Sequence, residues 1–382
     1  MTASLPARGK VSLVVGCETH RMESKTFVTG IERVLLETHK GLWLLAPGDN
    51  LTLRRVHTSQ HPASQAFLEH EQLASDPVLR SKLTPLQEVE ALLILDMSSG
   101  IAWREIIKEK QRRSLPVIFM VHDVLPLSNP EWFAGGEEGR RAFWVYLQQG
   151  LRVADVVLVA SETVRDSILA LGWSVPGRIV VIPLGSLHAA REPRVAASRR
   201  FSLLSVTTLE PRKGHARLLD AFDLLRASDV DVELVLVGRP GWDSDELFAR
   251  IRQHKDFGGR LKWFASASDE QVVSYASAAN IAVIPADGEG FGMFLEEALT
   301  LGLKVVASDI PVFRERTQKN VHFSALNPQA LADTILAAGE APWEPFARGE
   351  IRSMKDFSAG VYDHVLQELQ PKLTRHNEGP NP

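Results

Sequence analysis

Short aliphatic segments alternate with longer amphipathic segments along most of this 382-residue chain. The short segments have the length of buried strands, whereas the longer ones repeat apolar residues at the spacing of a helix face. Such alternation is typical of parallel sheets with helices packed on both faces. In the first half it predicts strands at Val11–Cys17, Trp43–Ala46, Leu51–Val56, Ala91–Asp96, Val117–His122, Asp155–Ala160 and Ile179–Ile182. It predicts helices at Ile31–Thr38, Trp103–Arg113, Glu131–Leu151 and Thr163–Leu171.

A polar, arginine-rich segment from His188 to Arg200 interrupts the pattern, which then starts again. In the second half it predicts strands at Phe201–Thr207, Val232–Val237, Leu261–Phe264, Ile281–Ile284 and Lys304–Ala307. It predicts helices at His215–Leu225, Ser244–Gln253, Asp269–Ala276, Met293–Leu301, Pro328–Ala337 and Ser353–Leu369. The chain is long for one core. We therefore expect an α/β protein of two Rossmann-like doubly wound domains, residues 1–190 and 191–350, with a helical segment at 351–370 and a disordered tail at 371–382.

The composition excludes several classes of protein. Cys17 is the only cysteine, so neither an internal disulfide framework nor a cysteine metal cluster is possible. The longest apolar runs are too short to span a membrane, and no N-terminal run has the length of a signal peptide. The net charge of −4 argues weakly against nucleic acid as the main partner. We expect a cytoplasmic protein, with contact limited to the inner surface of the membrane if it meets the membrane at all.

One predicted loop combines glycines with two spaced glutamates. The sequence from residue 287 to 297 is DGEGFGMFLEE, which places Glu289 in the loop and Glu297 in the helix that follows. A strand, a glycine turn and a helix N-terminus direct backbone N–H groups toward an anion such as phosphate. Carboxylates beside a phosphate would repel it, so we interpret both as acceptors for sugar hydroxyls. The loop therefore predicts a ligand that carries phosphate and sugar, such as a nucleotide sugar.

Two cations follow the first predicted strand of the second half. Arg212 and Lys213 lie just before Gly214 and a helix, where they are well placed to neutralise a diphosphate. An isolated pair of this kind is usually solvated, but the glycine loop at a second strand end favours the functional interpretation. Gly238 and Arg239 end the next strand, where glycine lets the backbone approach a bound ring.

The first half offers weaker candidates. His122 ends a predicted strand and could donate a hydrogen bond to an incoming sugar, although a structural histidine is as plausible there. Thr29 and Gly30 precede the first helix and could turn its N-terminus toward the ligand, although most such pairs only cap a helix. No metal site is expected, because the two Asp-x-Asp spacings fit turns and caps better: Asp229/Asp231 and Asp243/Asp245.

These stretches together resemble the retaining GT-B glycosyltransferases of family 4. The resemblance is strongest over Phe201–Glu315, through TLEPRKG at 208–214, VGR at 237–239, the two spaced glutamates and ASDIPVFRE at 307–315. The first half matches more loosely, through TGIER at 29–33 and HDVLPL at 122–127. Among family members the chain looks most like bacterial enzymes that build O-antigen or exopolysaccharide, many of them from GDP-mannose.

The resemblance implies two domains that face a central cleft, with the donor held mainly by the C-terminal domain and a final helix that crosses back to the N-terminal one. It implies that Glu297 binds ribose hydroxyls, that Glu289 contacts the donor sugar, and that Arg212 and Lys213 stabilise the departing diphosphate. It also places further residues near the donor sugar: Gly290, Phe291, Gly292, Met293 and His122. Glu296 is expected to be dispensable.

The expected activity is a metal-independent transfer of a hexose, with retention, from a nucleotide sugar as co-substrate and without a cofactor. Mannose from GDP-mannose is the favoured donor, and a glycan or lipid-linked oligosaccharide of bacterial lipopolysaccharide or another surface polysaccharide is the favoured acceptor. Other activities of the same fold stay open, namely a sugar phosphorylase, a synthase or an epimerase. A scaffold without catalytic activity is the remaining alternative.

Overall fold

The computed structural model describes residues 13–23, 28, 30–58, 66–69, 71–97, 100–191, 200–346 and 350–378. In these residues the strands form two six-stranded sheets, and every strand pair is parallel. The N-terminal sheet contains β1 Leu13–Glu18, β2 Leu51–Val56, β3 Ala91–Ile94, β4 Val117–Val121, β5 Val156–Val159 and β6 Arg178–Val181. The C-terminal sheet contains β7 Phe201–Val206, β8 Val232–Val237, β9 Leu261–Phe264, β10 Ile281–Ile284, β11 Lys304–Ser308 and β12 Val321–Ser324.

Helices cover both faces of each sheet. The N-terminal half contains α1 His20–Glu23, α2 Gly30–Leu45, α3 Glu71–Ala74, α4 Trp103–Arg113, α5 Leu125–Ser128, α6 Gly136–Val153 and α7 Glu162–Ala170. The C-terminal half contains α8 His215–Ala227, α9 Asp245–Gln253, α10 Asp269–Ala278, α11 Met293–Thr300, α12 Pro311–Arg314, α13 Pro328–Glu340 and α14 Met354–Glu378. The expected architecture of two doubly wound domains is confirmed.

Each sheet has one point where the order of its strands reverses. The orders are β2-β1-β3-β4-β5-β6 and β12-β11-β10-β7-β8-β9, so the reversals lie between β1 and β3 and between β7 and β10. The connections on the two sides of such a point leave on opposite faces of the sheet, which opens a crevice at the carboxyl ends of the two strands. These two crevices are therefore the natural ligand sites of the fold.

The aliphatic strands separate two layers of core. In β4, Ile118 and Met120 belong to the core on one face of the sheet, whereas Val117, Phe119 and Val121 belong to the core on the other. This period of two follows from the pleat of a strand. Because both faces are covered, β3, β4, β5 and β10 are buried along their whole length.

The final helix returns to the N-terminal half, as the resemblance implies. It packs along α2 so closely that a Cβ at Gly41 would lie 2.3 Å from the Cβ of Ser358. The Tyr362 hydroxyl donates to Asp49 Oδ2 at 2.9 Å. The helix continues through Pro371 to Glu378, so the predicted disordered tail at 371–382 is helical as far as residue 378. Residues 379–382 lie outside the described part of the chain.

Several element predictions were wrong. Trp43–Ala46 is not a strand, because the helix α2 continues to Leu45. The helix turns Leu42 toward the core and Leu44 toward solvent, where it is 78% exposed. The predicted helix from Glu131 begins only at Gly136, after Gly135 with φ of 99°. The short elements α1, α5, α12 and β12 were not predicted. None of the helices in the described part of the chain has the length and apolar character that a membrane crossing needs.

Candidate active site

Two loops at the carboxyl ends of β7 and β10 are bound to each other at the strand reversal of the C-terminal sheet. The backbone N–H of Asp287 donates to the carbonyl of Arg212 at 2.7 Å. Gly214 has φ of 68°, and a Cβ at this position would lie 1.9 Å from the carbonyl oxygen of Pro285. Only glycine fits such a contact and conformation. The Arg-Lys turn and the glutamate loop are therefore one unit, although they are distant in sequence.

This unit holds Arg212, Lys213 and Glu289 together. The Lys213 ammonium pairs with Glu289 Oε1. Arg212 Nη1 donates to the carbonyl of Gly288 at 3.1 Å and lies 3.8 Å from Glu289 Oε2, while its Nη2 lies 2.8 Å from Glu210 Oε1. Burial alone raises the pKa of Glu289, but Lys213 and Arg212 outweigh it and hold that pKa below its usual value. Glu289 is therefore an ionised carboxylate at neutral pH.

One donor group in this cluster is unused. The Nε of Arg212 is buried and has no hydrogen-bond partner among the residues that the structure describes. A buried donor without a partner costs free energy of about 1–3 kcal/mol. A ligand with negatively charged oxygen atoms would satisfy it, so the geometry suits an anion at this point.

The glycine loop that follows is pressed against the N-terminal half. A Cβ at Gly290 would lie 2.1 Å from the carbonyl oxygen of His122, and the hydroxyl of Ser161 donates to the Gly290 carbonyl at 2.8 Å. Phe291 and Met293 pack with the core of the N-terminal half. Gly292 has φ of 86° and begins α11 beside the ring of Phe313. The loop therefore lies between the two halves.

Glu297 lies inside this interface and pairs with a residue of the opposite half. Its side chain is 4% exposed, and its Oε1 lies 3.2 Å from Nη1 of Arg33 on α2. The other terminal nitrogen of Arg33 donates to Asp269 Oδ1 at 3.0 Å. Burial raises the pKa of Glu297, and Arg33 opposes that shift. A cavity of about 170 Å³ borders Arg33, Asp269 and Leu187 beside this contact.

His122 is buried at the end of β4, and its Nε2 lies 2.9 Å from the carbonyl oxygen of Leu95. Burial lowers the pKa of His122, so the ring is neutral at physiological pH. The contact with a carbonyl assigns the proton to Nε2. Nδ1 is then an acceptor, which suits a sugar hydroxyl as donor and differs from the donor role that the sequence suggests.

The other predicted ligand residues are less closely joined to the cluster. Gly238 fits against β7, since a Cβ there would lie 1.8 Å from the carbonyl oxygen of Thr207. Arg239 is exposed, and its carbonyl accepts from Leu209 N–H at 3.0 Å. Gly30 begins α2 with open space where a Cβ would be. Thr29 lies outside the described residues.

Sequence reasoning missed the role of Glu296. It is 7% exposed, and its Oε1 lies 3.0 Å from Nε of Arg316. Arg316 also donates to the Phe291 carbonyl at 2.8 Å and lies over the Phe291 ring at 4.0 Å. Because removal of Glu296 would leave Arg316 buried without its counter-charge, we expect the loss of Glu296 to destabilise the fold.

A second polar cluster lies at the strand reversal of the N-terminal sheet. Arg21, just after β1, pairs with Asp96, just after β3, and lies 3.6 Å from Glu32 Oε1 on α2. The second oxygen of Asp96, Oδ2, is buried without a hydrogen-bond partner among the described residues. Burial raises the pKa of Asp96, and Arg21 opposes the shift. The sequence signal that could have predicted this cluster is the presence of polar residues just after two strands that are neighbours in the sheet.

The Asp-x-Asp pairs have structural roles. Asp229 and Asp243 occupy left-handed turn positions, with φ of 56° and 49°. Asp231 pairs with Arg260 at 2.5 Å. A search of the described residues finds no group of three His, Cys, Asp or Glu side chains placed to hold a metal ion.

Two family models match the two halves of the chain. The model described as glycosyl transferases group 1 matches residues 189–345, and the glycosyl transferase 4-like domain matches residues 89–185. The first match includes the Arg212-Lys213 turn and both spaced glutamates, and the second includes His122. The two matches meet near the segment between the two sheets.

Curated relatives carry mannosyltransferase names. The chain is 30% identical over 286 residues to the serotype-specific mannosyltransferase WbdA of Escherichia coli. The aligned region covers 69% of this chain and 34% of that protein. It is 28% identical over 200 residues to the O-antigen chain mannosyltransferase B of Escherichia coli, which is 50% of this chain and 52% of the relative. The chain thus spans about one third of the length of WbdA.

Solved structures share the architecture. Alr3699/HepE of Anabaena, in complex with UDP and glucose, superposes with a TM-score of 0.60 at 14% identity, over 94% of this chain and 98% of that one. At this identity the likeness concerns the fold, and it extends over both halves. It agrees with the two parallel sheets described above.

Proposed function

We propose that this chain, which belongs to the family 4 glycosyltransferases of the GT-B fold, transfers a hexose from a nucleotide sugar to a glycan acceptor with retention at the anomeric carbon. The observation that carries the proposal is the largely buried cluster of Arg212, Lys213 and Glu289 at a strand reversal, in which one arginine N–H has no partner among the described residues. A diphosphate supplies the oxygens that such a cluster lacks.

The cluster explains how a diphosphate can be both bound and released. Negative charge grows on the diphosphate as its bond to the sugar breaks, and preorganised cations stabilise that charge most strongly in a site that excludes water. Arg212 and Lys213 supply two positive charges on a turn that Gly214 fixes. Glu289 pairs with Lys213, and it accepts a hydroxyl of the donor sugar when the ammonium turns to the phosphate.

The remaining predicted residues surround the sugar and the ribose. The backbone of Gly290 to Met293 approaches the sugar, and the neutral His122 accepts a hydroxyl through Nδ1. Glu297 accepts ribose hydroxyls, while Gly238 and Arg239 border the nucleotide. The start of α2, at Gly30, faces the donor from the opposite half, whereas the role predicted for Thr29 concerns a residue outside the described part of the chain. No metal ion is required in this scheme, because cationic side chains carry the positive charge.

Mannose from GDP-mannose is the favoured donor, since WbdA and the O-antigen chain enzyme are both named mannosyltransferases. The HepE complex contains UDP and glucose, so uridine is the alternative base. The same names support an acceptor in O-antigen or another surface polysaccharide. The Arg21–Asp96 cluster at the N-terminal strand reversal supports an acceptor with several hydroxyls.

A cytoplasmic location and peripheral contact with the inner membrane surface stay predictions. The basic helix α4 gives membrane contact limited support, because most of its cations contact a carboxylate. Arg112 and Arg113 both contact Glu109, and Lys110 pairs with Asp155. Such pairs weaken the attraction of this helix to an anionic lipid surface.

A thermal-shift screen against GDP-, UDP-, ADP- and dTDP-sugars tests the proposal. We expect one base to raise the melting temperature, and we expect the Arg212→Ala variant to lose that shift while the Arg226→Ala variant keeps it. Arg226 is the matched control, because it lies on α8 and pairs with Asp256 away from the cluster. Absence of any shift would favour a scaffold. Turnover that requires inorganic phosphate would favour a phosphorylase, and turnover without transfer to a glycan would favour an epimerase.

A further inference from the structure

Arg33, on α2 of the N-terminal half, pairs with Glu297, on α11 of the C-terminal half. We infer that Arg33 is a positioning residue for the donor ribose. It holds the Glu297 carboxylate toward the ribose hydroxyls, so the selection of ribonucleotides over deoxyribonucleotides depends on both halves of the chain. The inference rests on the proposed function, because it assumes that Glu297 faces the ribose.

Burial makes a counter-charge necessary for Glu297. Its side chain is 4% exposed, and in the part of the chain that the structure describes Arg33 is the only cation within 4 Å of it. An ionised carboxylate at such a position is costly unless a positive charge and hydrogen bonds compensate it. Glu297 would therefore take up a proton if Arg33 were removed, and a protonated carboxyl has less capacity to accept hydroxyl hydrogens.

The geometry of Arg33 fixes direction as well as charge. Two different nitrogens of one planar guanidinium contact Glu297 on α11 and Asp269 at the start of α10. Lysine could hold only a point charge there, because it lacks the planar fork. The contact with Glu297 Oε1 is an ion pair and not a hydrogen bond, so this buried oxygen has no hydrogen-bond partner among the described residues and can accept one from a hydroxyl.

Other charged groups around this contact are already engaged. Asp269 opposes ionisation of Glu297, while Arg33 favours it. Glu296, the neighbour of Glu297 on α11, pairs with Arg316. His188 faces both Arg33 and Asp269, and burial lowers its pKa, so it is neutral near pH 7. The charge on Glu297 therefore depends chiefly on Arg33.

The test compares GDP with 2′,3′-dideoxy-GDP by calorimetry on the wild type and on Arg33→Met, with the UDP pair used instead if the screen selects uridine. We expect Arg33→Met to weaken the ribonucleotide about tenfold, the size of one charge-assisted hydrogen bond, and to change the dideoxynucleotide less than twofold. Arg33→Lys should restore part of the loss. Lys40→Met on the same helix is the matched control, because Lys40 pairs only with Glu37 among the described residues.

Kinetics and pH separate this role from a general structural one. The donor KM of Arg33→Met should rise about tenfold with kcat nearly unchanged, and it should fall toward the wild-type value as pH rises and Glu297 ionises. The inference would be overturned if Arg33→Met lost equal affinity for both nucleotides, lost none, or bound them more tightly. In each of these cases, binding of the nucleotide by the wild type would leave the proposed function intact. A wild type that binds neither nucleotide pair would overturn both.

Discussion

At the scale of single residues, the candidate site consists of buried or partly buried acids that each face a cation. Glu289 faces Lys213, Glu297 faces Arg33 and Glu296 faces Arg316. Sequence identifies the glutamates by their spacing, but it does not identify their counter-ions. The reason is distance along the chain: Lys213 and Glu289 are 76 residues apart. A local pattern reveals which groups are charged, whereas only the fold decides which charges meet.

The first prediction concerns the two cations of the turn. Arg212→Ala and Lys213→Ala should each lower kcat roughly 10²–10³-fold, because each removes positive charge from a preorganised site at which negative charge develops. Steady-state kinetics with the donor that the screen selects measures the effect, and melting temperatures show whether each variant folds. Normal turnover in a folded Arg212→Ala variant would place the diphosphate elsewhere.

At the scale of elements, most strands and helices were predictable because their apolar periods are regular and their ends carry glycine, proline or a capping residue. Ser268 and Gln271 form a capping box at the start of α10, for example. The misassigned Trp43–Ala46 is the instructive failure. A run of four apolar residues fits a strand and a helix equally well, and here it is the end of the longer helix α2.

The second prediction concerns the glycine that begins α11. Gly292→Ala should lower the free energy of unfolding by about 2–4 kcal/mol, since a left-handed φ strains alanine and its Cβ would lie 2.4 Å from the ring of Phe313. Gly258→Ala is the matched control, because φ is 81° there but no atom lies within 4 Å of the added Cβ. Urea denaturation should show a clearly smaller loss for the control, and equal losses would mean that the Phe313 contact is irrelevant.

At the scale of the whole molecule, the two halves are joined by directed polar contacts. Both oxygens of Glu315, just after α12, accept backbone N–H groups of Glu162 and Thr163 at the start of α7, at 3.1 and 2.7 Å. Trp242 Nε1 donates to the carbonyl of Trp132 at 2.8 Å. A carboxylate at a helix N-terminus is favourable because it satisfies free N–H groups and meets the positive end of the helix dipole. The two halves are therefore joined by hydrogen bonds that can break separately.

The third prediction concerns this closure. Glu315→Ala should raise the donor KM roughly tenfold, because the lost hydrogen bonds involve a charged acceptor. The radius of gyration in X-ray scattering should also rise, since the halves separate more readily. Arg314→Ala is the matched control, because its partners Asp309 and Phe323 lie in the same half as Arg314. An unchanged radius and KM in Glu315→Ala would show that Glu315 does not control closure.

The sequence by itself determined the α/β class, the positions of nearly all strands along the chain, the glycine loop and the two cations. Each of these depends on residues that are neighbours in the chain. Only the tertiary structure decided that Arg33 faces Glu297 and Asp269, the latter 236 residues away. It alone decided that Glu315 caps α7 and that Asp96 meets Arg21. These contacts arise where strand order and helix packing bring distant segments together, and burial then makes the partner of each charge matter.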